Sequence, residues 1–177
     1  MKSPHKHIVL IGFKHVGKTT IGKQLAKKLH RPFVDLDRII QLLHEENTGE
    51  NLSCRDIMEK TGQESFRHLE NQALRKALEN EIRSVISLGG GTVCSEKNQD
   101  LVKQHTVIHI TAPRGIVFER ILISGRPAFF NADEDILTTF NNLWNSREKI
   151  YDKLFDISIS NNGSIEKTVN TLIEALA

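Results

Sequence analysis

Residues 12–19 read Gly-Phe-Lys-His-Val-Gly-Lys-Thr, directly after the apolar run Ile8-Val9-Leu10-Ile11 and directly before a helical pattern. This is G-x-x-x-x-G-K-[ST] set between a strand and a helix, and no other stretch constrains the fold as much. The spacing predicts a loop whose backbone N–H groups converge on phosphate oxygens at a helix N-terminus. Lys18 adds a positive charge and Thr19 a hydroxyl for Mg2+. The ligand that such a loop calls for is a nucleoside triphosphate with its Mg2+.

Strand-like apolar runs recur at 7–11, 32–35, 84–88, 106–110 and 155–159, with segments of helical spacing between them. Residues 18–29 place Ile21, Leu25 and Leu29 on one face, and 63–80 do the same with Phe66, Leu69, Ala73, Leu74, Ala77 and Leu78. Residues 133–150 carry Ile136, Leu137, Phe140 and Leu143 in the same rhythm, and 164–176 closes the chain as a helix. This alternation predicts an α/β fold, a three-layer α/β/α sandwich around a five-stranded parallel sheet. Ligands bind such sheets beyond the carboxyl ends of the strands, so the chemistry is expected just after each one. At 177 residues the chain fits one domain. Its core is expected at 7–119 and 136–177, with a substrate-binding helical region about 37–80 and a mobile lid about 121–135.

Bulk properties exclude more than they assign. Twenty-four basic against 22 acidic residues leave a net charge of +2, which gives no support to nucleic-acid binding. The N-terminus lacks the apolar core of a signal peptide and no run is long enough to span a membrane, so a cytoplasmic protein is expected. Cys54 and Cys94 then read as reduced thiols. His105 and His109 lie in a strand-like segment, roughly 13 Å apart along it and too far to share a zinc ion. No long apolar surface stripe argues for an obligate oligomer, and a monomer is expected.

The strand ends carry the remaining candidates. Asp35 and Asp37 follow the second strand, where they suit either a helix cap or a ligand crevice. In a crevice one carboxylate would order the water shell of Mg2+ and the other would accept a hydrogen bond from the hydroxyl being phosphorylated. Arg67 and Glu70 form either a surface pair or a held guanidinium that grips a carboxylate. Gly89-Gly90-Gly91 after the third strand permits close backbone approach to a ligand or a tight turn. Arg126, flanked by Gly125 and Pro127, suits a lid that brings positive charge onto a transferring phosphoryl group.

Together these residues resemble the shikimate kinase family of P-loop kinases. The resemblance spans nearly the whole chain: the loop at 12–19, Asp35-x-Asp37, Phe66-Arg67-x-x-Glu70, Gly89-Gly90-Gly91, Arg126-Pro127, and Arg147 near Tyr151. It implies transfer of the γ-phosphoryl group of ATP to the 3-hydroxyl of shikimate. Lys18, Asp37 and Arg126 would be catalytic. Gly12, Phe13, Lys14, His15, Val16, Gly17, Lys18, Thr19 and Thr20 would surround the ATP phosphates, with Arg126 over them and Arg120 beside the adenine. Asp37, Arg67, Gly89, Gly90, Gly91 and Arg147 would meet shikimate. Thr19, and Asp35 through water, would serve Mg2+.

Two departures stand out. His15 occupies a position where the family usually has glycine, so a positive φ is expected there, with the imidazole outside the cradle. Ala128-Phe129-Phe130 replaces the leucine-rich lid residues, and the phenylalanines are expected to pack on closure. Two other readings stay open: a sibling kinase acting on gluconate or a nucleotide, and a silent binding protein. The second usually lacks the lysine, an acid or the lid arginine, all of which are present.

Overall fold

The computed structural model describes residues 6–124 and 135–177. Among them, five strands form one sheet: β1 (Ile8–Ile11), β2 (Phe33–Asp35), β3 (Val85–Ser87), β4 (Thr106–Thr111) and β5 (Ile157–Ser160). Their order is β2-β3-β1-β4-β5 and every pairing is parallel. The helices are α1 (Lys18–Lys28), α2 (Leu36–Thr48), α3 (Cys54–Thr61), α4 (Gln63–Leu78), α5 (Glu96–Val102), α6 (Arg114–Ile123), α7 (Ile136–Tyr151) and α8 (Ile165–Leu176). The expected α/β architecture is therefore present.

β1 reads as an unbroken apolar run because both of its faces are covered. Ile8 and Leu10 join one core cluster with Ile21 and Leu25 of α1 and Val169 and Leu172 of α8. Val9 and Ile11 join a second cluster with Ile40 of α2 and Ala73 and Leu74 of α4. All four residues of β1 are at most 3% exposed, each contributing roughly 1.5–3 kcal/mol of burial. Val9 pairs with Ile86 on one side and Val107 on the other. From β1 the chain turns outward to β2, and from β3 it crosses to β4 on the opposite side. The loops after β1 and β3 thus part at a topological switch point, and this crevice is the one that ligands of such sheets use.

Helix boundaries follow local chemistry. Asp35 caps α2 by accepting from Asp37 N–H, Ser53 caps α3, Asp135 caps α7 and Ser164 caps α8. α2 ends at Gly49, which takes the left-handed conformation.

One buried polar residue gives the fold a pH dependence. His109 of β4 is 2% exposed, stacked on Tyr151 and Phe155, and its Nε2 lacks a hydrogen-bond partner among the described residues. Glu148 Oε1 stands 3.8 Å away, beyond hydrogen-bond range. Burial lowers the imidazole pKa to about 4, with Lys18 adding to the fall and Asp152 opposing it. The folded state keeps His109 neutral while the unfolded chain takes up a proton below about 6.5. Stability is therefore full above that value and is lost as pH falls towards 4. His109→Leu should lose less stability than the native chain between pH 7 and 5, by about 2 kcal/mol. Urea unfolding at the two pH values checks this, and equal losses in both proteins would refute it.

Candidate active site

The cradle connects β1 to α1 and depends on two left-handed glycines. Gly12 has φ 140° and Gly17, the residue before α1, has φ 103°. A Cβ on Gly12 would run into the Ile110 carbonyl oxygen, and one on Gly17 would lie 2.5 Å from Asn161 Nδ2. His15 also takes a positive φ, 65°, as its place in the loop predicts. Its carbonyl accepts from Arg120 Nη1 at 2.9 Å. Burial and then the cations Lys14, Lys18 and Arg120 hold its imidazole pKa below the usual value.

Lys18 is 8% exposed and donates to the Gly12 carbonyl at 2.9 Å and the Phe13 carbonyl at 2.7 Å. Burial lowers its pKa to about 8, against the opposing pull of Asp37 and Asp35. Incoming phosphates would restore the lost stabilisation of its charge. Lys14, His15, Gly17, Lys18, Thr19, Thr20 and Arg120 all border one cleft of about 630 Å³. The side chains of Phe13 and Val16 turn instead into the core below, so these residues, like Gly12, offer a ligand only backbone.

The other end of the same cleft gathers the acid and the arginines. Asp35 and Asp37 both border it, and Asp35 serves as a helix cap as well, accepting from Asp37 N–H at 3.1 Å. Protein atoms crowd the Asp37 carboxylate although the cleft leaves it open to solvent. That desolvation, with Asp35 next to it, raises its pKa against the effect of Lys18. Arg67 donates to Glu70 at 2.6 Å, and Glu70, 2% exposed, also accepts from Thr92 Oγ1 at 2.8 Å. Glu70 therefore holds the guanidinium and is itself held.

Arg147, on α7, comes to the same point from across the cleft. A Cβ on Gly91 would lie 2.7 Å from Arg67 Nη2 and 3.3 Å from Arg147 Nη2. One on Gly89 would lie 3.2 Å from Asp37 Oδ1. The three glycines thus form a floor on which two guanidinium groups and a carboxylate converge. Cys54, Met58 and Phe66 complete this wall. The Cys54 thiol pKa is pushed up to about 12 by burial and the nearby Asp37, which leaves it protonated and a poor nucleophile. Both cysteines are free thiols.

Arg126, most of the lid at 121–135 and the Ala128-Phe129-Phe130 segment lie outside the described residues. Other contributors escaped the sequence reading. Asn161, just past β5 and 7% exposed, donates to the Val16 carbonyl at 2.9 Å and borders the cleft. It stands beside a triplet of glycosylation type, but the informative signal was its position at a strand's carboxyl end. Asn161→Ala should weaken ATP binding about tenfold by loosening the loop, at roughly 1–2 kcal/mol of stability. Calorimetric titration with ATP, together with thermal unfolding, tests this; an unchanged ATP Kd would contradict it.

Among the described residues no group of three or more His, Cys, Asp or Glu side chains is placed to hold a metal ion alone. Thr19 and Asp35, both at the cleft, supply hard oxygen donors. That sparse set fits Mg2+, which keeps several waters and leans on substrate phosphates. No helix of the described residues is long and apolar enough to cross a membrane.

Comparison with known proteins agrees with this geometry. The family model described as "Shikimate kinase" matches residues 14–177. Shikimate kinase of Enterococcus faecalis is 35% identical over 175 residues, covering 96% of this chain and 97% of the relative. That of Bacillus subtilis is 33% identical over 174 residues, covering 97% and 89%. Among solved structures, shikimate kinase from Aquifex aeolicus superposes with TM-score 0.73 at 34% identity, covering 96% of this chain and 95% of that one. The enzyme from Acinetobacter baumannii in complex with shikimate gives TM-score 0.83 at 26% identity, covering 98% and 93%. With its cradle, its paired arginines and its glycine floor in place, the chain belongs to the shikimate kinase family.

Proposed function

We propose that this protein transfers the γ-phosphoryl group of ATP to the 3-hydroxyl of shikimate, giving shikimate 3-phosphate and ADP. The observation that carries this reading is the convergence of Arg67, Arg147 and Asp37 on one glycine floor in the cleft that also holds Lys18. A ring with one carboxylate and several hydroxyls matches two guanidinium groups and one short acid. In this reading the arginines grip the carboxylate while Asp37, its basicity raised, orients the attacking hydroxyl or takes its proton. Lys18 leaves the Gly12 and Phe13 carbonyls for the phosphates and stabilises the charge that spreads over the transferring group. Arg126 adds to that charge from the lid and helps to exclude water, and Arg120 lies by the adenine. Thr19 and Asp35 would hold Mg2+, Asp35 through water, and the ion would neutralise phosphate charge.

We further infer a monomer working in the cytoplasm. No long apolar surface stripe in the sequence calls for an obligate oligomer, and free thiols suit a reducing compartment. An ADP-release assay with ATP and Mg2+ tests the substrate against shikimate, quinate, gluconate and nucleoside monophosphates. Stimulation by shikimate above the rest is expected, and its absence in folded protein would overturn the reading.

A further inference from the structure

Tyr151 closes α7 and is 1% exposed. Its hydroxyl donates to the Gly90 carbonyl at 2.6 Å, and its ring rests on His109, centroids 4.9 Å apart. Burial raises the phenol pKa, so the group stays a donor.

Gly90 lies at the seam between the two halves of the site. A Cβ there would be 3.1 Å from Lys14 N and 3.6 Å from the Gly12 carbonyl on the cradle side, and 3.2 Å from Arg147 Nη1 on the acceptor side. Arg147 precedes Tyr151 by one helical turn, and its guanidinium lies over the Phe13 ring at 5.2 Å. One helix end therefore touches the cradle, through Arg147 on Phe13, and the glycine floor, through Tyr151 on Gly90. Three successive glycines carry more backbone freedom than any other tripeptide. The Gly89 and Gly91 carbonyls accept from Thr92 N–H and Cys94 N–H, and the Gly90 carbonyl between them accepts from the Tyr151 hydroxyl. Phenylalanine would fill the space beside His109 equally well, so packing alone does not account for the hydroxyl.

We propose that Tyr151 is a positioning residue for phosphoryl transfer, its hydroxyl fixing Gly90 so that acceptor and cradle keep their separation. This rests on the function proposed above. In-line transfer is sensitive to such separations, and a displacement of about 1 Å can cost about a hundredfold.

The test is Tyr151→Phe, assayed with shikimate and ATP, beside Val102→Ala, a buried α5 substitution in the same core cluster that removes no hydrogen-bonding group. Tyr151→Phe should lower kcat roughly ten- to a hundredfold and raise the shikimate KM, with the ATP Kd, measured without acceptor, within about twofold of native. Val102→Ala should lower the thermal midpoint and leave kcat and both constants unchanged at temperatures where it is folded. Native kcat and shikimate KM in folded Tyr151→Phe would overturn the proposal, as would the same kinetic loss in Val102→Ala. Should the native protein turn over none of the acceptors, the functional reading and this proposal fail together. Native turnover with an unaffected Tyr151→Phe sinks this proposal alone.

Discussion

Lys18→Met should lose about a hundred- to a thousandfold in kcat while remaining folded. The ammonium is buried and its pKa already lowered to about 8, so its charge is a burden on the ligand-free protein. Removing it relieves desolvation but deprives the Gly12 and Phe13 carbonyls of a donor. These effects oppose each other, and the thermal midpoint should move by only a few degrees. Methionine keeps the length of the side chain, so the loss reports charge rather than packing. Steady-state ADP release and thermal unfolding on one preparation decide the matter. A variant retaining a third of native turnover would remove Lys18 from the proposed role.

The second large effect is expected at Arg67. Arg67→Ala should reduce kcat/KM for shikimate by about 2–4 kcal/mol, roughly 30- to 1000-fold, with the ATP KM little changed. Among the described residues it also leaves Glu70, 2% exposed, with Thr92 alone of its two side-chain hydrogen-bond partners, a stability cost of about 1–3 kcal/mol. The two losses separate in the double variant Arg67→Ala/Glu70→Gln. Neutralising the orphaned acid should recover stability without recovering shikimate affinity. Arg67→Lys should not rescue binding, because an ammonium lacks the planar fork. An unchanged shikimate KM in Arg67→Ala would show that the carboxylate is gripped elsewhere.

What the sequence made legible depended on whether burial was two-sided. β1, β3 and β4 sit between two helical layers and are read at once from apolar runs. α1 and α4 show their faces because one side is wet. His109 shows why such patterns mislead locally, since it occupies a core-facing position on β4 that apolar patterning would give to Val or Ile. Within the site, Lys18 and the glycines were legible because backbone geometry dictates them. The Arg67–Glu70 spacing more often marks a surface pair than a gripping one, and the 2% exposure of Glu70 favours the second. Arg147 was reached only through the family resemblance, because α7 otherwise reads as an amphipathic surface helix. Asn161 and the Tyr151 hydroxyl act on backbone carbonyls of distant loops. Such partners leave no spacing rule in the chain.

The Asn161 bond to Val16 bridges 145 positions, and this sets an order of events during synthesis. The nucleotide loop leaves the ribosome first, yet β1 has neither neighbour until β3 and β4 follow it. Its outer brace arrives later still, after β5. The earliest functional motif is thus the last to be completed, and a nascent chain that stops short of residue 161 presents the loop without its full support. Such long-range closure favours slow folding. ATP then becomes a late ligand, one that binds the loop at full strength, and so stabilises the fold fully, only once residue 161 is in place.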